Sequence, residues 1–162
     1  MLLVPVVSEP GYYQEAAGST TCDVCPVGHA CLNGESAAPC SNGTASVEGQ
    51  ANCTACEGGY YANRTMMERC SLCPAGHQCG DTSLSPVLCL RGEYSREGVV
   101  VCSPCEAGSY CPTLGTVEPQ NCSLGEYSQA GAAECTVCPV GHRCAQPFEG
   151  MSQVVPYEFE EG

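Results

Sequence analysis

This chain of 162 residues has no tryptophan, two phenylalanines and no lysine. A chain of this length has room for a sizeable core, but it lacks the large apolar side chains to fill one. Five arginines stand against 18 acidic residues, and the net charge of −13 makes nucleic acid and anionic lipid surfaces poor partners. No apolar run is long enough to span a bilayer as a helix, so no membrane insertion is expected. The opening Met1–Val7 is apolar, but it is short for a signal-peptide core, has no basic lead and contains Pro5. It suggests a piece of a longer secreted or anchored protein, or an incomplete start. No G-x-S-x-G elbow, P-loop or H-E-x-x-H occurs, so neither an enzyme nor a cofactor is expected.

What the chain has is cysteine. Its 17 cysteines exceed the share that marks a disulfide scaffold, and they fall on a repeating grid. Cys102, Cys105, Cys111 and Cys122 lead into Cys135, Cys138 and Cys144; Cys70, Cys73, Cys79 and Cys89 repeat the pattern, as do Cys22, Cys25, Cys31 and Cys40. A period of about 32 residues means stacked small modules, stabilised by cross-links in place of a core.

Disulfides persist in oxidising compartments, which places the chain outside the cell or at its surface. The asparagines agree. Of five, four stand in N-x-[ST] sequons, at Asn42, Asn52, Asn63 and Asn121. With Ser and Thr at their share here, about one would be the chance expectation. N-linked glycans are therefore expected, Asn42 and Asn63 foremost, because Asn52 and Asn121 abut cysteines. The acidic residues are spread along the chain, as on a solubilising surface. No D-x-D-x-D-G run favours calcium, and only Glu158 to Glu161 is dense.

Counting from the cysteine that opens each long loop, a glycine follows at the third place: Gly43, Gly59, Gly92 and Gly125. Tyr61, Tyr94 and Tyr127 follow at the fifth, with Ala45 the exception, and Gly49, Gly98 and Gly131 at the ninth, with Thr65 the exception. This predicts short hairpins, with Glu93–Ser95 and Val99–Val101 as the arms of one and the Tyr ring covering its disulfide. Between Cys56 and Cys70 the two cysteines of the usual small loop are missing together. Their joint loss leaves no stranded thiol if they were bonded to each other. That favours hairpin bonds Cys40–Cys53, Cys56–Cys70, Cys89–Cys102 and Cys122–Cys135. The small-loop bonds are then Cys25–Cys31, Cys73–Cys79, Cys105–Cys111 and Cys138–Cys144. A crossed scheme within each repeat stays open. Cys22 is left unpaired, since its partner's place is Ser8. It is an isolated thiol, the partner of an upstream cysteine, or a link to another chain.

His29, His77 and His142 share one slot in the C-P-x-G-H-x-C loops, and Ser109 takes it in the fourth. Three thiols and an imidazole suggest zinc, but the spacing is tighter than in zinc loops and the slot is not always His. A turn residue over a small disulfide loop is the favoured reading, and no metal is expected.

The string C-x2-C-P-x-G-x-x-C…C-x-x-G-x-Y-S-x-x-G-x-x-x-C-x2-C resembles the ephrin-receptor-like cysteine-rich repeat, itself related in style to the modules of tumour necrosis factor receptors. The resemblance spans residues 9 to 144 and is closest from Cys89 to Cys144. Ser8, the missing loop after Cys56 and His in place of the commoner Tyr depart from it. It implies multi-repeat extracellular stalks, adhesion proteins or receptor ectodomains, often of protists and marine invertebrates, without catalytic residues.

The expected architecture is a small disulfide-rich fold, an elongated tandem array of short β-hairpin modules with little common core. Residues 1–21 would be an incomplete first hairpin, 22–144 the tandem repeats, and 145–162 an acidic linker or tail, with strand addition by Met151–Phe159 an alternative. Four or five modules in line predict a rod of roughly 70–100 Å. The expected function is a non-enzymatic extracellular glycoprotein rod, a building block of a matrix, surface coat or filament. The alternative is the stalk or ligand-binding ectodomain of a receptor or adhesion protein. Its partners are other protein chains, including itself head-to-tail through Cys22 or the Val154–Phe159 segment.

Overall fold

A computed structural model describes residues 8–15, 20–144 and 154–156. Among them there is no helix, and the strands form nine two-stranded antiparallel sheets. The chain divides into two compact units, one of residues 1–73 and 79–86, the other of 74–78 and 87–162.

In the first unit β1 (Tyr12–Tyr13) pairs with β2 (Asp23–Val24), and β3 (His29–Ala30) with β4 (Ala38–Pro39). Two further hairpins follow without a small loop between them: β5 (Thr44–Ala45) with β6 (Thr54–Ala55), and β7 (Tyr60–Tyr61) with β8 (Ser71–Leu72). The second unit pairs β9 (His77–Gln78) with β10 (Val87–Leu88), β11 (Glu93–Tyr94) with β12 (Ser103–Pro104), and β13 (Ser109–Tyr110) with β14 (Gln120–Asn121). It ends with β15 (Glu126–Tyr127) against β16 (Thr136–Val137), and β17 (His142–Cys144) against β18 (Val154–Pro156).

Hairpins and small loops share one local plan. In each, a turn closes by an i→i+3 hydrogen bond, as from Tyr12 N–H to Glu9 C=O and from His29 N–H to Pro26 C=O. The third residue is a glycine at positive φ, which this turn type requires. A two-residue ladder follows, three residues long between β17 and β18. The returning strand then donates from a half-cystine, Cys25 N–H to the Gly11 carbonyl and Cys40 N–H to that of Gly28. The structural repeat is thus about 16 residues, half the period of the cysteine grid. The grid reads double because disulfides of two spacings alternate along one kind of backbone unit.

The arms differ from those expected. Glu93 and Tyr94 pair with Pro104 and Ser103, not with Val99–Val101. Every long hairpin returns through the two residues between its C-x2-C cysteines. The first arm is cut short at a buried serine, Ser95, whose side chain turns to the preceding unit, so residues 96–101 form the connecting loop.

That serine carries much of the stacking. Ser46, Ser95 and Ser128 are buried, and each hydroxyl donates at 2.7 Å to the carbonyl of the slot residue in the preceding small loop: His29, His77 and Ser109. One such bond contributes about 1 kcal/mol. Ala62 holds the same place in the hairpin that follows another hairpin, and it is fully buried.

The core is made of half-cystines. Cys25, Cys31, Cys40, Cys73, Cys89, Cys105 and Cys111 are among the largest fully buried side chains, and Ala45 and Ala62 are the buried aliphatic ones. Tyr61, Tyr94 and Tyr127, expected over the disulfides, are only half-buried. Successive units meet backbone to backbone, which leaves space for a serine or alanine but not for a ring.

Candidate functional site: the inter-repeat face and its modification sites

Eight disulfides form two series. Cys40–Cys53, Cys56–Cys70, Cys89–Cys102 and Cys122–Cys135 tie the long hairpins, with Cα–Cα separations of 5.7 Å. Cys25–Cys31, Cys73–Cys79, Cys105–Cys111 and Cys138–Cys144 close the small loops, at 5.8 to 6.2 Å. Both ranges suit unforced bridges. The pairings are local, and no bond crosses between hairpin and small loop.

Cys22 is the one free cysteine, and the Ser8 hydroxyl lies against its sulfur. Ser8 is buried and stands where a hairpin half-cystine would. Replacing it is therefore expected to complete the first hairpin. Ser8→Cys should consume the free thiol and stabilise the hairpin by about 3 kcal/mol. Thiol titration and thermal melting of the variant check this; a second reactive thiol in place of a bond would refute the geometry.

The three histidines play one part. Nδ1 of His29, His77 and His142 meets the carbonyl two residues earlier, of Val27, Ala75 and Val140, at 3.0 to 3.2 Å. A carbonyl only accepts, so Nδ1 carries the proton and the ring acts as a strut of its own turn. The neighbouring cysteines are disulfide-bonded, and among the described residues no group of three or more His, Cys, Asp or Glu is arranged to hold a metal.

The four sequon asparagines are all exposed. Asn42 donates to the carbonyls of Asn63 at 3.2 Å and Ser83 at 3.4 Å, and Asn63 donates to the Ser85 hydroxyl at 3.1 Å. Asp81 caps the same row. The Ser83 hydroxyl and amide both donate to its carboxylate, and these bonds hold its pKa below the usual value. Asn52 and Asn121 make no side-chain hydrogen bond among the described residues, so their amides stand clear on the surface.

An open cleft of about 370 Å³ lies in the last long hairpin, beside Tyr127, Gln129, Glu134 and Thr136. Its one buried hydroxyl, Ser128, already donates to Ser109. No nucleophile–base pair lines it.

The most repeated surface in the chain is therefore the one by which units stack. Gly49, Met66, Gly115 and Gly131 each donate N–H to a cysteine carbonyl, of Cys25, Cys40, Cys89 and Cys105, at 2.7 to 3.0 Å. Each presses its own carbonyl onto the bare face of an earlier glycine, respectively Gly11, Gly28, Gly76 and Gly92. Met66 is the one non-glycine at positive φ among the described residues, at 59°, and it holds this wedge position. From the sequence, Gly49, Gly92 and Gly131 are expected in hairpin turns. That reading missed the stacking, and with it the serine–alanine alternation that accompanies the small loops.

Neither a protein-family model nor a curated protein matches this chain. The fold is a tandem array of disulfide-rich hairpin modules, and among the described residues no helix is long and apolar enough to cross a membrane. Eight bridges call for an oxidising compartment.

Proposed function

We propose that the chain is a non-enzymatic extracellular glycoprotein, a structural building block of a matrix, surface coat or filament. The observation that carries this reading is the stacking itself. Conformational specification goes into a repeated unit-to-unit contact, and the rest of the described surface carries sequons, scattered acids and one open cleft without a nucleophile–base pair. Polar and acidic faces keep such a material hydrated and soluble. The family resemblance supports the same setting and would equally suit a receptor stalk.

At least two of Asn42, Asn52, Asn63 and Asn121 are expected to carry N-linked sugar. Asn42 already uses its amide in two hydrogen bonds between units, so a glycan there must be attached before stacking and replaces one of them. Intact-mass measurement before and after amidase treatment checks this, and an unchanged mass would refute the glycan assignment. Electron micrographs of native material then separate the two classes: ordered fibres or sheets support the structural reading, and isolated soluble molecules support the receptor stalk.

A further inference from the structure

Two of the five asparagines stand directly before a glycine, at Asn33–Gly34 and Asn42–Gly43. In such a pair the main-chain nitrogen of the glycine can attack the asparagine's side-chain amide carbon, because glycine carries no Cβ to crowd the approach. The fold treats the two pairs differently. At Asn42 both reactants are engaged. Gly43 donates its N–H to the Ala62 carbonyl at 2.8 Å, and the Asn42 amide donates to the carbonyls of Asn63 and Ser83 at 3.2 and 3.4 Å. At Asn33 neither reactant is held. The Asn33 side chain is exposed, and neither its amide nor the Gly34 N–H makes a hydrogen bond among the described residues. Gly34 is fixed by its other atoms. Its carbonyl accepts from Gln14 N–H at 3.0 Å, and its Cα rests on Ser8, where an added Cβ would lie 2.7 Å from the main-chain oxygen. Asn33 also lies outside every sequon, so no glycan is expected on its nitrogen.

We infer that Asn33–Gly34 is a site of self-modification, at which Asn33 converts through a cyclic imide to aspartate and isoaspartate, while the fold protects Asn42. The Gly34 nitrogen gives its proton to hydroxide and bonds to Cγ of Asn33. The Cγ–Nδ2 bond then breaks, and ammonia leaves after taking a proton from water. A further water opens the imide at either carbonyl. Opening at Cγ leaves aspartate, and opening at the main-chain carbonyl leaves isoaspartate, with the chain running through Cγ. The net change is one water taken up and one ammonia released, with nothing oxidised or reduced. Either product adds a negative charge. Isoaspartate also adds a methylene to the main chain immediately before Gly34. That shifts the carbonyl on which Gln14 depends and loosens the first hairpin.

Peptide mapping of the disulfide-bonded glycoprotein after incubation in neutral and mildly alkaline buffer tests this. Thr44→Ala is incubated alongside, because it removes the Asn42 sequon and lets Asn42 be read without a glycan; amide NMR dispersion shows that it remains folded. In the folded Thr44→Ala chain Asn33 should convert about tenfold faster than Asn42 or more, since the hydrogen bonds at Asn42 must open before attack. Conversion should quicken as pH rises, because the attacking nitrogen must first lose its proton. After reduction and alkylation the two sites should convert at similar rates. An Asn33 that keeps its amide in the folded protein while the reduced chain converts overturns the proposal. So does an Asn42 that converts as fast as Asn33 in the folded chain. The isoaspartyl fraction, separated by chromatography, should exchange its Gln14 amide proton faster than Asn33→Asp, which adds the charge without the methylene. Equal exchange would overturn the loosening of the first hairpin.

Discussion

Full reduction is expected to unfold this protein completely. The short bridges close loops with a sequence separation of 6, and the long ones of 13 or 14. On the chain-entropy estimate each contributes about 2–3 kcal/mol, on the order of 20 kcal/mol for all eight. That exceeds the total stability of an ordinary domain, about 5–15 kcal/mol. The buried interior consists chiefly of the half-cystines themselves, so little burial survives once they separate. Amide NMR dispersion before and after reduction under native buffer provides the readout. Collapse to a random-coil spectrum is expected, and a dispersed spectrum from a chain whose thiols all react would show a core that these contacts do not contain.

The second large effect separates two glycines of the same backbone conformation. Gly92 has φ of 88° and Gly125 of 83°, so alanine at either place incurs the left-handed cost of about 1–2 kcal/mol. They differ in what the new methyl meets. At Gly92 it runs into the Gly131 carbonyl oxygen, part of the backbone with no freedom to swing aside, whereas at Gly125 it meets open space. Gly92→Ala is therefore expected to cost a further 2–3 kcal/mol or so, as overpacking does. Thermal melting of the two disulfide-intact variants measures the difference. Equal losses would mean that the units do not touch at Gly92.

Much of this architecture was legible because cysteine and glycine mark the backbone directly. The grid identified hairpins and small loops, and the paired absence after Cys56 argued for local bonds of the kind the structure contains. Ser8 was identified as the vacant half-cystine place, and the structure sets its hydroxyl on Cys22. Other features were hidden by the physics that produces them. Unit-to-unit hydrogen bonds run between main-chain atoms, which every residue has, so they leave almost no compositional trace. The period was read as double because two disulfide spacings share one turn-and-ladder unit. The tyrosines suggested a miniature aromatic core, but close backbone approach leaves Tyr94 half outside and places Ser95 within. The alternation of Ser46, Ser95 and Ser128 with Ala62 was visible in the alignment of repeats. Its meaning needed the carbonyl that each serine reaches.

Val154–Pro156 shows how register extends the repeat beyond the last cysteine. It pairs with His142–Cys144 in the way that Ala38–Pro39 pairs with His29–Ala30. Tyr157, outside the described residues, then follows in sequence where Cys40 follows Pro39. The rest of residues 145–162, expected as an acidic linker or tail, lies outside the described residues apart from this strand.

The central claim is that the fold is specified by local cross-links on a repeated backbone unit. Peptide mapping of the unreduced protein, alkylated first and then cleaved, tests it most directly. Cys22 alone should be alkylated, and every disulfide-linked peptide should join a cysteine to its partner within one hairpin or one small loop. A linked pair that crosses between them, such as Cys102 with Cys111, would contradict it.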